Sequence, residues 1–202
     1  DERERQVEHD QAGCLGRGQR RGQQQEDDAD DPAKTPALVK KLVEQDKVFA
    51  LVGDIGTETN LAVRDYLNEK CVPNIALATG SPEWGNNKQY PWYIAGLPSY
   101  AGEAHTWVEY LKTANPKAKI ALLYQDDDFG QAYQKAIKKA IEGTDITIVG
   151  EQSFNPLSGT TTEAAVTSLS QSGADTFIVG IGGTPCPKTL ASIPDTWKPA
   201  TI

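Results

Sequence analysis

From Asp31 onward, short apolar runs alternate with amphipathic stretches of helical length, and no other feature of the chain restricts its fold as strongly. Thr35 reads as a helix N-cap with Pro36 at the first helical position. Leu38, Val39, Leu42 and Val43 follow as one apolar stripe. The run Val48-Phe49-Ala50-Leu51-Val52, closed by Gly53, has the length and β-branched content of a buried strand. A second cycle places a helix from a Thr57 cap to about Lys70 and a strand at Val72–Leu77. A polar loop over 79–90 and a short strand at Trp92–Ala95 come next. Further helices are predicted near 101–113, 129–142 and 161–171, with strands at Ile120–Tyr124, Ile146–Val149 and Thr176–Val179.

Strands alternating with helices of this length imply βαβ units on a parallel sheet. The strands lack polar alternation, which predicts burial on both faces. The expected fold is therefore α/β with a doubly wound parallel sheet. In such sheets ligands bind beyond the carboxyl ends of the strands, so the loops starting at Gly53, Ala78, Gln125 and Gly180 are the candidates.

Residues 1–30 have a different texture, crowded with Arg, Gln, Gly, Asp and Glu and without an aromatic residue. Such a stretch buries too little apolar surface to offset its ordering entropy, and disorder is expected. Ala12-Gly13-Cys14 has the form of the end of a lipoprotein cleavage site, but the preceding residues are charged where an apolar segment is needed. The N-terminus likewise opens Asp-Glu-Arg-Glu-Arg, unlike a secretion signal.

The net charge of −8, from 20 basic and 28 acidic residues, argues against nucleic acid or an anionic membrane as partner. No run of eighteen apolar residues is present to span a bilayer. Cys14, Cys71 and Cys186 are too few and scattered for a metal cluster or a disulfide framework and read as incidental thiols, Cys186 in a loop between two prolines.

Chemically, Gly53-Asp54-Ile55-Gly56-Thr57 leads from a strand into a helix, where a carboxylate or phosphate would meet unpaired N–H groups. A plain capping turn is the alternative. Ala78-Thr79-Gly80-Ser81-Pro82 sets small residues and two hydroxyls past the next strand, suited to a small polar ligand. Trp84 and Tyr100 are candidates for apolar walls, although Trp84 serves equally well packed on its own lobe. Asp126-Asp127-Asp128 lacks the alternating ligands of a calcium loop, and Asp128 reads as an N-cap that projects Phe129 at the crevice. Neither G-x-G-x-x-G nor a P-loop occurs, and His9 and His105 have no nucleophile partner, so neither enzyme activity nor a cofactor or metal is expected.

Four segments carry a family pattern. Asp31–Thr35, Val48–Thr57, Val72–Gly80 and Ile120–Gly130 resemble, in order and spacing, segments of type I periplasmic binding proteins, and more narrowly the branched-chain amino acid class of ABC-transporter substrate-binding proteins. The resemblance implies a two-lobed flytrap fold, with 31–97 in the first lobe, 98–202 in the second and the crossover near Leu97-Pro98. It implies ligand contacts at Thr57, Ala78, Thr79 and Gly80, an aromatic wall at Phe129 and a looser match at Thr184, while Ser81 and Tyr100 stay candidates on their own chemistry, a loop hydroxyl and an apolar wall. The implied partners are a small carboxylate, either an amino acid or an aromatic acid, and the membrane permease of an ABC importer. The implied location is the periplasm or, as a lipoprotein, the bacterial cell surface. Residues 1–27 match neither the family's opening strand and helix nor its secretion signal and read as a misread stretch, and Ile202 falls roughly halfway through a typical member, so the fold is expected to be incomplete at both ends. Two rival functions use the same architecture: the sensing domain of a receptor or regulator, and a nucleotide-dependent α/β enzyme.

Overall fold

A computed structural model describes residues 25–158 and 161–202. The expectations for residues 1–24, Cys14 and His9 among them, lie outside that range. The chain divides into two compact units at Leu97/Pro98.

The first unit holds helix α1 (Thr35–Lys40, prolonged by a π-helical turn over Lys41–Gln45), strand β1 (Leu51–Val52), helix α2 (Thr57–Glu69), and strands β2 (Asn74–Leu77) and β3 (Tyr93–Ala95). The three strands form a parallel sheet in the order β1-β2-β3, with Leu51, Asn74 and Tyr93 in one row and Val52, Ile75 and Ile94 in the next. Val39, Leu42 and Val43 from the first helix and Val63 and Leu67 from α2 pack with Leu51, Val72, Leu77 and Tyr93 into one core. Burying a Leu or Val of this kind contributes about 1.5–3 kcal/mol.

Three expectations need correction here. The buried strand predicted at Val48–Val52 is only two residues long, and Phe49 and Val52 are 65% and 70% exposed. Successive strand residues face opposite sides. The described helices cover only the Leu51 side, so Val52 and Ile94 form an open apolar row. Thr35 is not an N-cap: Lys34 holds that position, and the Thr35 hydroxyl donates to Asp28 Oδ2 at 2.6 Å. Thr57 does not cap α2 either. Gly56 occupies the N-cap position with φ +100°, and Thr57 is the first helical residue.

The second unit contains α3 (Tyr100–Ala114), β4 (Lys119–Gln125), α4 (Asp128–Ala140), β5 (Thr147–Phe154), α5 (Glu163–Ser170), β6 (Thr176–Gly180), α6 (Pro185–Ala191) and β7 (Ala200–Thr201). Its sheet is parallel, ordered β5-β4-β6-β7. Alternation along β4 explains the uninterrupted apolar run. Ile120 and Leu122 face Ala104, Val108, Leu111, Tyr133 and Ile137 from α3 and α4. Ala121 and Leu123 face Val166 and Leu169 of α5 together with Phe177 and Trp197. With helices on both faces the sheet is doubly wound, as expected.

Ser99 caps α3 by accepting from Gly102 N at 3.1 Å. The α4 cap is Asp127, not Asp128: Asp127 is extended (φ −149°, ψ 177°) and accepts from Gly130 N at 2.9 Å. Cys186, expected in a loop, lies in α6. Prolines in a first helical turn give up only N–H groups that have no partner inside the helix, so Pro185 and Pro187 are tolerated there. Cys186 is a free thiol, whereas Cys71 is disulfide-bonded and not an incidental thiol.

Candidate functional site

The turns that follow β1 and β2 are joined at the same rim of the first sheet. Ile55 and Ala78 form a parallel bridge, and Ala78 N donates to Asp54 O at 2.9 Å. Beyond it the hydroxyls of Thr57 and Thr79 lie 2.7 Å apart, and both residues are buried. Thr79 Oγ1 also accepts from Ser81 N and from Trp84 Nε1, each at 3.3 Å. Either hydroxyl of the Thr57–Thr79 pair can be the donor, since each both donates and accepts. Gly80 and Ser81 are buried and Ala78 is half-buried. Thr57, Ala78, Thr79 and Ser81 are thus joined by hydrogen bonds at one rim, with Gly80 between the last two in sequence.

A polar column supports this rim, and none of its members was singled out from the sequence. Asn60 Nδ2 donates to Gly56 O at 2.7 Å and to Asp54 O at 3.2 Å, which holds the first turn from beneath. Its Oδ1 accepts from Asn74 Nδ2 at 3.0 Å. Both asparagines are essentially unexposed. An Asn in the first turns of a helix and another in a strand are both unfavourable by propensity, and that was the available signal. Trp84 stacks on Tyr93 with centroids 5.6 Å apart and planes within 9°, so it packs on its own unit and donates to Thr79. Burial pushes the Tyr93 phenol well above its ordinary range. Asn74 lies close enough to temper the shift, yet Tyr93 OH and Asn74 Oδ1 make no bond of acceptable geometry among the described residues.

Asp54 is the one strained ionisable group in this turn. Burial raises its carboxyl above the ordinary value of 3.8, Asn74 partly offsets this, and the Asp28 charge raises it further. A raised carboxylate makes the folded state bind the proton more tightly than the unfolded state does, so stability falls as pH climbs through the interval from the ordinary to the raised value. Asp54→Asn should therefore melt higher than wild type at pH 7, with the difference vanishing below about pH 4. A difference that stays constant with pH, or a lower melting point at pH 7, contradicts the assignment.

In the second unit Tyr100 is buried and Phe129 half-buried. Phe129 meets Tyr100 edge-to-face at 5.4 Å and 82°, and Tyr133 likewise at 5.4 Å and 83°. Trp107 stacks on Tyr133 at 5.3 Å. Tyr133 donates to Glu103, and burial followed by that carboxylate drives its phenol far up. Thr184 is exposed at the start of α6, on the loop after β6. Gln125, the last residue of β4, marked the start of a candidate loop in the sequence, but its side chain was given no role there. It is buried, donates through Nε2 to Asp127 Oδ2 at 2.6 Å, and accepts from Gly182 N at 2.6 Å.

The rim of the first unit presents hydroxyls and backbone groups, which suit a small polar molecule. No group of three or more His, Cys, Asp or Glu side chains suited to a metal ion occurs among the described residues. The family model described as periplasmic binding protein matches residues 15–196, starting ahead of Asp28, where the resemblance was expected to begin. The chain belongs to the periplasmic binding protein family. No curated protein matches it by sequence.

Three solved structures show the same fold. The branched-chain amino acid ABC transporter protein from Thermus thermophilus, with bound valine, is 21% identical with a TM-score of 0.68, over 81% of this chain and 42% of its own. A solute-binding protein of an ABC transporter from R. palustris, in complex with 4-hydroxybenzoate, is 21% identical at 0.72, over 84% and 45%. An extracellular ligand-binding receptor from Rhodopseudomonas palustris HaA2 is 19% identical at 0.79, over 97% and 55%. The chain spans about half the length of these proteins.

Proposed function

We propose that this chain is part of an extracytoplasmic solute-binding protein that delivers a small carboxylate to the permease of an ABC importer and performs no chemistry on it. The single observation that carries the reading is the pairing of two small-residue turns at one sheet rim, tied through Thr57 and Thr79, where the thirteen-residue helix α2 begins. A helix start favours an anion through its leading N–H groups and dipole. Thr57, Ala78, Thr79, Gly80 and Ser81 hold the carboxylate. Phe129 and Tyr100 wall the apolar part, and Thr184 adds a polar contact. The two units act as the lobes, 31–97 and 98–202.

Valine and 4-hydroxybenzoate, bound in two of the solved relatives, are both carboxylates, so the ligand is an amino acid or an aromatic acid. A periplasmic or cell-surface location agrees with the family. The net charge of −8 disfavours nucleic acid as a partner.

A panel of amino and aromatic acids should contain one that raises the melting temperature, by about 2.7 kcal/mol of stabilisation at a hundredfold excess over Kd. Thr79→Val should lower stability by about 1–3 kcal/mol, because Trp84 Nε1 and Ser81 N lose their acceptor. The same variant should bind that acid at least tenfold more weakly in titration calorimetry. A folded wild type that responds to no carboxylate, or a Thr79→Val variant of unchanged affinity, removes the support for this reading.

A further inference from the structure

We infer that Gln125 is a positioning residue, one that ties the capped start of helix α4, which carries Phe129, to the loop that leads to Thr184, and so sets the second unit's ligand-facing wall before ligand arrives. The part about ligand rests on the function proposed above; the tie rests on geometry alone. Gln125 ends β4 with its side chain buried. Its Oε1 accepts from Gly182 N at 2.6 Å, across 57 residues of sequence. Its Nε2 donates to Asp127 Oδ2 at 2.6 Å. The amide has only one workable orientation, since Gly182 N–H can only donate and the Asp127 carboxylate can only accept.

The partners are themselves engaged. The other oxygen of Asp127 caps α4 through Gly130 N, so one carboxylate fixes both the helix start and the amide. A Cβ on Gly130 would lie 2.1 Å from Gln125 O, so the α4 start lies directly on the end of β4. A Cβ on Gly182 would lie 3.4 Å from Gln125 Oε1 and 3.9 Å from Phe129 Cε1, which puts the Phe129 ring beside the tied loop. A Leu or Met would fill the same space but leave Gly182 N–H and Asp127 Oδ2 without this partner. A buried amide is retained where direction, not volume, is needed.

The test compares Gln125→Glu and Gln125→Met with wild type in the whole chain. Ionised glutamate accepts from Gly182 but cannot donate to Asp127 and repels it; protonated glutamate does both jobs. A carboxyl beside a carboxylate keeps its proton well above the usual range, so the Glu variant should resemble wild type at about pH 5 and differ at about pH 8. The readout is the NMR signals of the Gly182 and Gly130 amides and the Phe129 ring. The Met variant should stay shifted at both pH values, and wild type at neither.

With valine and 4-hydroxybenzoate as probes, the one that binds wild type should bind both variants about tenfold more weakly at pH 8. The Glu variant alone should recover at pH 5, relative to wild type at that pH. Unshifted Gly182 and Phe129 signals in both variants overturn the tie. Shifted signals with unchanged probe affinity overturn the positioning role while leaving the proposed function standing. A wild type that takes up neither probe at millimolar concentration defeats the binding reading and, with it, any positioning role.

Discussion

Gly130→Ala should destabilise the chain by on the order of 3 kcal/mol, against the ordinary gain of up to about 1 kcal/mol for replacing glycine inside a helix. Gly130 is the third residue of α4 and is buried. The added Cβ would sit 2.1 Å from Gln125 O, 2.5 Å from Gln125 N and 2.8 Å from Gln125 C. These are backbone atoms at the end of a central strand that pairs with β5 and β6, so they cannot give way by a rotamer change. The helix start must move, and with it the Asp127 cap, the Gln125 amide and Phe129. The melting midpoint should drop by roughly 6–12 °C. Gly85→Ala is the control: nothing lies within 4 Å of its Cβ position, and the same chemical change should stay within about 0.5 kcal/mol of wild type. A Gly130→Ala variant that melts with wild type would refute the packing of α4 against β4 described above.

Gly56→Ala should be nearly as damaging, for a different reason. At φ +100° and ψ 148° the residue occupies a backbone region essentially restricted to glycine, where a side chain costs about 1–3 kcal/mol. Its Cβ would also lie 2.4 Å from Thr59 Oγ1 and 2.8 Å from Asp30 Oδ1. These are side-chain atoms, although Thr59 is held by its bond to Ile55 O at 2.7 Å. A total near 3 kcal/mol is expected, with loss of carboxylate binding if the turn works as proposed. The double variant Gly56→Ala with Thr59→Ala relieves the nearer contact and should recover only part of the loss. Complete recovery in a thermal melt would show that crowding, and not backbone conformation, is the cause.

Much of the architecture was legible because it follows from local chemistry. Periodicity placed α2, α3, α4 and α5 within a few residues of their observed ends, and apolar runs located β4 and β6. Where two local signals conflict, that reading fails. The prolines flanking Cys186 suggest a loop, yet each is harmless in the first turn of α6. An apolar run such as Val48–Val52 has the same appearance whether one face or both are covered, so the exposure of Val52 was not visible in it.

The site divides along the same line. The rule that ligands meet the carboxyl ends of parallel strands was enough to select the turns after Val52 and Leu77. The bond between Thr57 and Thr79 spans 22 residues and depends on the register of β1 against β2, which packing sets and no local propensity encodes. The same holds for Gln125 and Gly182. By itself the sequence determined most of the helices and strands, α6 and β7 excepted, that the sheets are parallel and which loops lie at their carboxyl ends, since each follows from side-chain periodicity within a dozen residues. Only the tertiary structure decided which polar groups meet, because a hydrogen bond requires placement to a few tenths of an ångström, and that precision arises from close packing between distant parts of the chain.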